Sequence, residues 1–433
     1  MPVRDVAVIG AGVTGAAVLH VLARYTGIES IDILEKYPAV AQVNSKSTAN
    51  SQTLHFGDIE TNYSAAKAAK VKRASARVAR YLDRCGRSDI HQRYSKMVLG
   101  VGAAEVRALE LRAQSLKELF PALRLIRREE VGRLEPEVLR GRPAAEEVAA
   151  LATSDGYAVD FGLLSESFVQ DARACGKDIR EHFGTAVRKI VKRDNFIITA
   201  DRVEIEAKTV VFAAGGFSLV FARSLGYGFE YAILPVAGNF FVSPRVLNGK
   251  VYTVQDDRLP FAAVHGDPDN NDASVTRFGP TAQVLPLIER EDWSSFWGFL
   301  KSTDWDPAMI ATLAGLAADP VMRGFALKNL VYGLPWAGRR LFAREVRKII
   351  PALEPGVLKP SPGLGGIRPQ LLDKRTRSLC MGEAEIVGDR IIFDITPSPG
   401  ASVCLENAED DAKRVAAWLG KPFDAAAFAR DYP

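Results

Sequence analysis

Gly10-Ala11-Gly12-Val13-Thr14-Gly15, close to the start of this 433-residue chain, sets three glycines at a spacing that can cradle a pyrophosphate. The apolar run Val6-Ala7-Val8-Ile9 leads into it. A small-residue, apolar-faced segment follows (Ala16, Ala17, Leu19, Val21, Leu22), and a second apolar run, Ile31-Asp32-Ile33-Leu34, ends on Glu35. Gly10 allows the tight turn, Gly12 lets the backbone approach a phosphate, and Gly15 lets the helix lie close on the strand. Val13 and Thr14 open that helix, whose free N–H groups and dipole favour anions. Glu35 follows Gly15 by about the ~20 residues expected of the acid that accepts ribose hydroxyls. An acid there favours an unphosphorylated ribose, hence FAD or NAD rather than NADP. Strand, glycine turn, helix, strand and acid together spell a dinucleotide-binding βαβ unit.

The elements that must position this chemistry are spread along the chain. A polar segment, 42–58, is too hydrophilic for a core element, and helical patterns follow at about 64–84 and 104–120, with a strand-like run at 97–101 between them. Residues 151–161 read as extended and about 163–176 as a helix. Strand-like alternation from 186 closes on Thr209-Val210-Val211-Phe212-Ala213-Ala214-Gly215-Gly216, a buried parallel strand running into a glycine turn. Ala214 and Gly215 there let the chain pass close to a cofactor. Strand-rich sequence resumes from 229 to 263, with turn signals at Asn248-Gly249 and Asp256-Asp257. The stretch 286–355 is mostly helical, broken at Pro307, Pro320 and Pro335. Ile391-Ile392-Phe393 reads as a strand that passes through Pro397-Ser398-Pro399-Gly400-Ala401-Ser402 into a helix at about 403–419.

Nucleotide-binding pieces thus occur at the start, middle and end, which a contiguous NAD domain does not need and a flavoprotein with inserted substrate elements does. The fold class expected is α/β: an FAD-binding domain with a parallel sheet and a βαβ dinucleotide unit, plus an inserted substrate domain with a mixed or antiparallel sheet and helices. The expected division assigns 1–80, 152–228 and 362–433 to the FAD-binding domain, and 81–151 and 229–361 to the substrate domain.

Composition narrows the function classes. Apolar residues make up 47% and charged residues 25%, as in a soluble globular protein, and the net charge of +4 is too small to argue for nucleic acid. The four cysteines are scattered without a CxxC pair and the five histidines are dispersed, so neither a metal cluster nor a disulfide framework is expected. The first strand starts almost at the N-terminus, leaving no room for a signal peptide, and no run reaches the ~18 consecutive apolar residues of a membrane span. A cytoplasmic location is the expectation, with a peripheral position on the inner face of the cytoplasmic membrane as its extension.

Four segments carry a family resemblance. They are the glycine fingerprint with Glu35; Asn50-Ser51-Gln52-Thr53-Leu54-His55-Phe56-Gly57; Ala263-Val264-His265-Gly266-Asp267 with Arg277-Phe278-Gly279-Pro280-Thr281-Ala282; and Gly365-Gly366-Ile367-Arg368-Pro369-Gln370 followed by 396–407. In this order they resemble the FAD-dependent hydroxy-acid and amino-acid oxidoreductases of the glycine oxidase type, and within them the malate:quinone oxidoreductase family, with the L-2-hydroxyglutarate oxidases as cousins. This chain lacks the longer Asn- and Gly-rich segment that precedes the His region in better-known members, so it looks like a compact variant.

The resemblance implies oxidation of a small L-2-hydroxy dicarboxylate, most simply malate to oxaloacetate, with FAD as cofactor and a membrane quinone as acceptor. It leaves open an FAD enzyme for another 2-hydroxy acid, such as L-2-hydroxyglutarate, or for an amino acid, with dioxygen or another acceptor. It implies that Arg368 binds the substrate carboxylate, and a planar guanidinium suits that task because it can donate two parallel hydrogen bonds. Arg277 is a weaker second candidate. Ser51, Gln52, Thr53, Gly366 and, at the adenine, Val187 are implied at the cofactor. Gly400, Ala401 and Ser402 read as a helix N-terminus aimed at the flavin. Oxidising a hydroxy acid needs a hydride acceptor and a base for the hydroxyl proton, and histidine is the natural base near neutral pH. His265 and His55 are the two candidates, each with a plain alternative as a hydrogen-bonding scaffold; His20, His91 and His182 read as structural.

Four of the five tryptophans (Trp293, Trp297, Trp305, Trp336) fall in 286–355, and from Arg323 to Ile350 seven basic residues face one acid, Glu345. This mixture suits a segment lying on an anionic membrane surface, or equally a core of tryptophans under a solvated basic face. Without a dense basic patch interleaved with stacking aromatics elsewhere, no nucleic-acid partner is expected.

Overall fold

The computed structural model describes residues 2–433 other than 257, 258, 260–262, 335, 336, 381–383 and 398. The expected break at Pro335, Trp336, half of the Asp256-Asp257 turn and Ser398 lie outside the described residues.

Apolar runs with side chains to both faces belong in a parallel sheet covered on both sides. Arg4–Ile9, Ser30–Glu35, Glu204–Phe212 and Ile391–Ile395 behave so. They form a parallel core in the order Ile391–Ile395, Glu204–Phe212, Arg4–Ile9, Ser30–Glu35, Asp178–Phe183, extended at one edge by antiparallel Ala384–Gly388. Val6, Val8, Ile31 and Ile33 point to one face. There they pack with Ala16, Leu19 and Leu22 of helix Val13–Tyr25, which lies between helices Phe161–Arg173 and Cys404–Trp418. Ala7, Ile9, Val210, Phe212 and Phe393 fill the other face. Val187–Lys192 and Phe196–Ala200 form a hairpin on Glu204–Phe212.

A second sheet has eight strands in the order Lys359–Ser361, Phe240–Pro244, Val275–Gly279, His265–Pro268, Lys250–Thr253, His91–Val101, Val148–Val159, Arg124–Arg127. It is antiparallel except where Lys250–Thr253 runs parallel to His91–Val101. A third, antiparallel, holds Gln283–Val284, Tyr231–Ala237, Ile367–Asp373 and Ser378–Leu379. The α/β expectation with parallel and mixed sheets holds. Two boundaries differ. Position 152 falls inside Val148–Val159, which pairs with His91–Val101 along its length. Ile367–Asp373, placed beyond the boundary at 362, pairs with Tyr231–Ala237. One strand cannot be shared between two sheets, and pairing decides where each lies.

The helical pattern at 64–84 is Ala65–Arg84, with Ser64 accepting from the Lys67 N–H. In the stretch 286–355, Pro307 and Pro320 open helices Pro307–Ala318 and Pro320–Tyr332 as first residues, capped by Asp306 and Asp319. No single helix among the described residues is long and apolar enough to cross a membrane; this pair passes that test only together and is bent by 85°. Its surroundings leave Trp293 76% and Trp297 66% exposed, with Trp305, Ile310, Leu327 and Leu330 more than half exposed. The three described tryptophans of this stretch therefore do not fill a core. Lys328 pairs with Glu345, and Lys348 with Glu105, whereas Arg323, Arg340 and Arg344 have no acidic partner among the described residues.

Candidate active site

A cavity of about 580 Å³ opens at the carboxyl ends of the parallel strands, where an open α/β sheet binds its ligands. At one end the glycine turn does what its spacing requires. Gly10 sits at φ +103°, where a Cβ would meet the Ala213 carbonyl at 2.5 Å, and a Cβ on Gly15 would meet the Gly10 carbonyl at 1.9 Å. Helix Val13–Tyr25 starts here. The Val13 N–H donates to Ser45 Oγ (2.9 Å) and the Ala16 N–H to the Gly12 carbonyl (2.9 Å), leaving the Thr14 and Gly15 N–H groups without a partner among the described residues. Glu35 stands on the cavity wall and accepts from the N–H groups of Ala11 (2.8 Å) and Tyr37 (3.0 Å); burial pushes its carboxyl up, and these two bonds oppose that. Lys36 and Arg188 line this end but are spent on Glu289 and Asp201, and Lys301 is exposed at the rim. Backbone N–H groups are therefore the donors this end leaves open to a phosphate. Val187, Ala214 and Gly215 line the same end. A glycine cradle that any Cβ would fill, open N–H groups at a helix start and an acid at the ribose position fit a dinucleotide.

The other end is built by three chain segments. Ser51, Thr53 and His55 come from the polar stretch, Gly366 and Arg368 from the start of Ile367–Asp373, and Gly400, Ala401 and Ser402 from the last loop. The polar stretch is irregular as expected but not wholly superficial: Gln52, Thr53, Leu54 and Asp58 are buried. Arg368 reaches the cavity with no acidic partner among the described residues; burial lowers its guanidinium from the usual value, and Tyr63 opposes that. His55 turns Nδ1 to Glu60 Oε1 (2.5 Å) and lines the cavity with the rest of its ring.

Four expected roles meet a different geometry. His265 is absent from the cavity wall. It is 1% exposed, its ring stacks on Tyr252 at 4.5 Å, and Nδ1 lies 3.2 Å from the Ala263 carbonyl; burial pushes it down to about 4. The strand pairing of His265 with Gly279 and Tyr252 holds it behind the wall. Gln52 also leaves the cavity. Its φ of +53° turns the side chain toward Asn270, whose N–H lies 3.4 Å from Oε1. Arg277 is fully buried and neutralised by Asp267 at 2.7 Å, so it offers no second clamp. Gly400–Val403 is a 3-10 turn and the α-helix starts at Cys404. The Gly400 and Ser402 N–H groups are spent on Pro397 and Pro399 carbonyls, leaving less for a flavin than a true helix start would.

What holds the reactive end together was not expected from sequence. The carbonyls of Asn50 and Ser51 have no ladder partner, and buried backbone oxygens need one. Arg277 donates to both (3.4 and 3.3 Å), and Lys250 to Ser51 (3.3 Å) and Thr53 Oγ1 (3.1 Å). Lys250 is completely buried beside Asp267 (3.5 Å), and burial lowers its ammonium from the usual value. Tyr252 closes the set by meeting Thr53 Oγ1 at 2.9 Å. Lys250 gave no sequence signal, because a lysine in a strand reads as solvent-facing, and Asp267 stood in a resemblance segment without a role of its own.

Comparison with known proteins adds to this geometry. Residues 5–394 match the family described as FAD dependent oxidoreductase. The chain is 39% identical over 440 residues to a probable malate:quinone oxidoreductase of Campylobacter jejuni, covering 99% of this chain and 98% of that one. It is 38% identical over 437 residues to a malate:quinone oxidoreductase of Helicobacter pylori, with 99% and 97% covered. Among solved structures it is similar to the dithionite-reduced L-α-glycerophosphate oxidase of Mycoplasma pneumoniae with FAD bound, at 18% identity and a TM-score of 0.68 over 96% of each chain, a likeness of fold.

Proposed function

We propose that this chain, which belongs to the FAD-dependent oxidoreductases and within them to the malate:quinone oxidoreductase family, oxidises L-malate to oxaloacetate and hands the electrons to a membrane quinone. FAD is its cofactor. Held by the glycine turn, the open N–H groups of Thr14 and Gly15, and Glu35, it supplies the two-electron acceptor for the hydrogen on the substrate's hydroxyl-bearing carbon.

The observation that carries the reading is Arg368, a cation lining the cavity with no acidic partner among the described residues, sharing the wall with His55. Arg368 receives a carboxylate and fixes the hydroxyl-bearing carbon. Nε2 of His55 takes the hydroxyl proton as the C–H bond breaks. Tyr252 and His265, behind the wall, keep Thr53 in place. Malate loses two electrons and two protons and the quinone gains both, so no water or dioxygen is consumed.

A quinone dissolved in lipid requires the enzyme to lie on the membrane surface. Exposed Trp293 and Trp297, and Arg323, Arg340 and Arg344 of the same helical stretch, exposed and without an acidic partner among the described residues, support that placement. The deciding experiment is anaerobic: malate is added to the FAD-loaded protein and the flavin absorbance followed. Bleaching reversed by a soluble quinone supports the reading. A flavin that malate leaves oxidised and L-2-hydroxyglutarate bleaches moves the assignment to the longer acid.

A further inference from the structure

His55 is fixed at every polar atom except one. Its N–H donates to Ser402 Oγ (2.9 Å), its carbonyl accepts from Ser75 Oγ, and Nδ1 lies 2.5 Å from Glu60 Oε1. Nε2 is the atom left, on a residue that lines the cavity, with no hydrogen-bond partner among the described residues.

Glu60 is held just as firmly. Arg112 donates to its carbonyl (2.7 Å) and to those of Thr61 (3.3 Å) and Tyr63 (2.9 Å), so the loop that carries the carboxylate cannot swing away. Lys96, on His91–Val101, lies behind it and pairs with Asp58 at 2.9 Å, both side chains being buried. Burial pushes the Glu60 carboxyl up, but the hydrogen bond and charge of His55 and the charge of Lys96 outweigh that and hold it below the usual range. Oε2 of Glu60 has no hydrogen-bond partner among the described residues. A buried carboxylate with one bare oxygen is costly. Among the described residues, the one side chain hydrogen-bonded to it is the cavity histidine.

We propose that Glu60 is the positioning carboxylate of the base. It accepts the Nδ1 proton, which keeps Nε2 as the lone-pair atom facing the substrate, and it supplies the counter-charge when His55 becomes an imidazolium. The inference rests on the reading of His55 as the base. In the step, the substrate O–H bond breaks and an N–H bond forms at Nε2, while the hydrogen and electron pair of the C–H bond pass to the FAD acceptor. The positive charge gained by the ring then stands against Glu60, with the Lys96–Asp58 pair neutral behind it. A hydrogen bond at one ring nitrogen sets which tautomer the other presents.

The test combines a spectroscopic and a kinetic readout on the full, FAD-loaded protein. Nitrogen-15 histidine spectra, with His55 assigned by its loss in His55→Gln, are expected to show Nδ1 protonated and Nε2 bare. Glu60→Gln keeps the shape and leaves Lys96 paired with Asp58. It is expected to slow anaerobic flavin reduction by malate about 100-fold, with the half-saturating malate concentration changed less than about threefold. A native His55 carrying its proton on Nε2, or a Glu60→Gln protein reducing at the native rate, overturns the inference. The tautomer is read on the unaltered protein, so it decides even where Glu60→Gln fails to retain FAD. Should His55→Gln itself reduce at the native rate, the base reading fails instead; a slow His55→Gln beside a fast Glu60→Gln removes only the role of Glu60.

Discussion

A guanidinium that faces a cavity without an acid beside it keeps its full attraction for an anion, and removal from water strengthens that attraction. Arg368 is in that position, whereas Arg277, Lys36 and Arg188 spend their charge on Asp267, Glu289 and Asp201. Hydrogen bonds to charged groups contribute about 1.5–3 kcal/mol, so Arg368→Ala is expected to weaken malate binding about 10- to 150-fold in an anaerobic titration. Arg368→Lys should recover only part of this, because a point charge cannot make the paired bonds. Binding unchanged in Arg368→Ala would move the clamp elsewhere. A second residue-scale prediction concerns stability. Asp394 and Asp411 are buried against each other; burial, with Glu385 adding to it, pushes Asp394 up to about 7, and Asp411 lies well above the usual range. Folded values above the unfolded ~3.9 mean that their contribution is complete below about pH 4 and is lost as pH rises through about 7. The native melting temperature is therefore expected to fall between about pH 4.5 and 7.5, and Asp411→Asn to reduce that fall, a difference on the order of a few degrees. Equal slopes for both proteins would contradict the pairing.

At the scale of elements, the site depends on one strand and one helix touching almost without side chains. A Cβ on Gly15 would lie 1.9 Å from the Gly10 carbonyl, so Gly15→Ala must push helix Val13–Tyr25 off its strand and move the N–H groups of Thr14 and Gly15 away from the phosphates. The variant is expected to purify with little flavin absorbance; a fully yellow protein would show that the helix can shift without losing the cofactor. Such backbone demands are what a sequence displays best. Only glycine satisfies them, the spacing is local, and Glu35 follows at a distance set by one helix and one strand. The apolar runs of the parallel sheet are legible for the same reason. Side-chain assignments that depend on distant pairing are not. Gln52 reads like its neighbours Ser51 and Thr53 until a single positive φ turns it away. The sequence puts His265 forward as the base and His55 beside the flavin, until strand pairing buries His265 behind Tyr252 and leaves His55 on the wall. Glu60 lies only five residues from His55, yet in an irregular segment no periodicity predicts that the two meet. Lys250, a charged residue in a strand, gives no hint that it will be sealed inside against Ser51 and Thr53.

The proposed function asks the molecule to reconcile a polar substrate with an acceptor dissolved in lipid, and its surface is unequal in a way that suits this. Helix Phe296–Thr303, with the turn Trp293–Ser295 before it, turns Ser294, Ser295 and Gly298 toward the cofactor cavity while Trp297 and Trp293 stand in solvent. A single element thus borders the cavity on one side and offers large apolar rings on the other. Each ring taken out of water contributes roughly 1.5–3 kcal/mol, and each arginine near an anionic surface about 1 kcal/mol more. Two indoles with Arg323, Arg340 and Arg344 would then give reversible binding that weakens with salt. Replacing Trp293 and Trp297 together by serine is expected to lower the affinity for vesicles containing anionic lipid by at least about 10-fold in a flotation assay. Both side chains are mostly exposed, so the fold and the anaerobic reduction of the flavin by malate should be unchanged. Turnover with a long-chain quinone held in the vesicles should fall with the binding, while turnover with a soluble quinone should not. If the double variant binds vesicles as the native protein does, the exposed tryptophans are not the docking face. If it loses binding but keeps vesicle-quinone turnover, the electrons reach their acceptor without docking, and membrane quinone is no longer the partner that the exposed tryptophans serve.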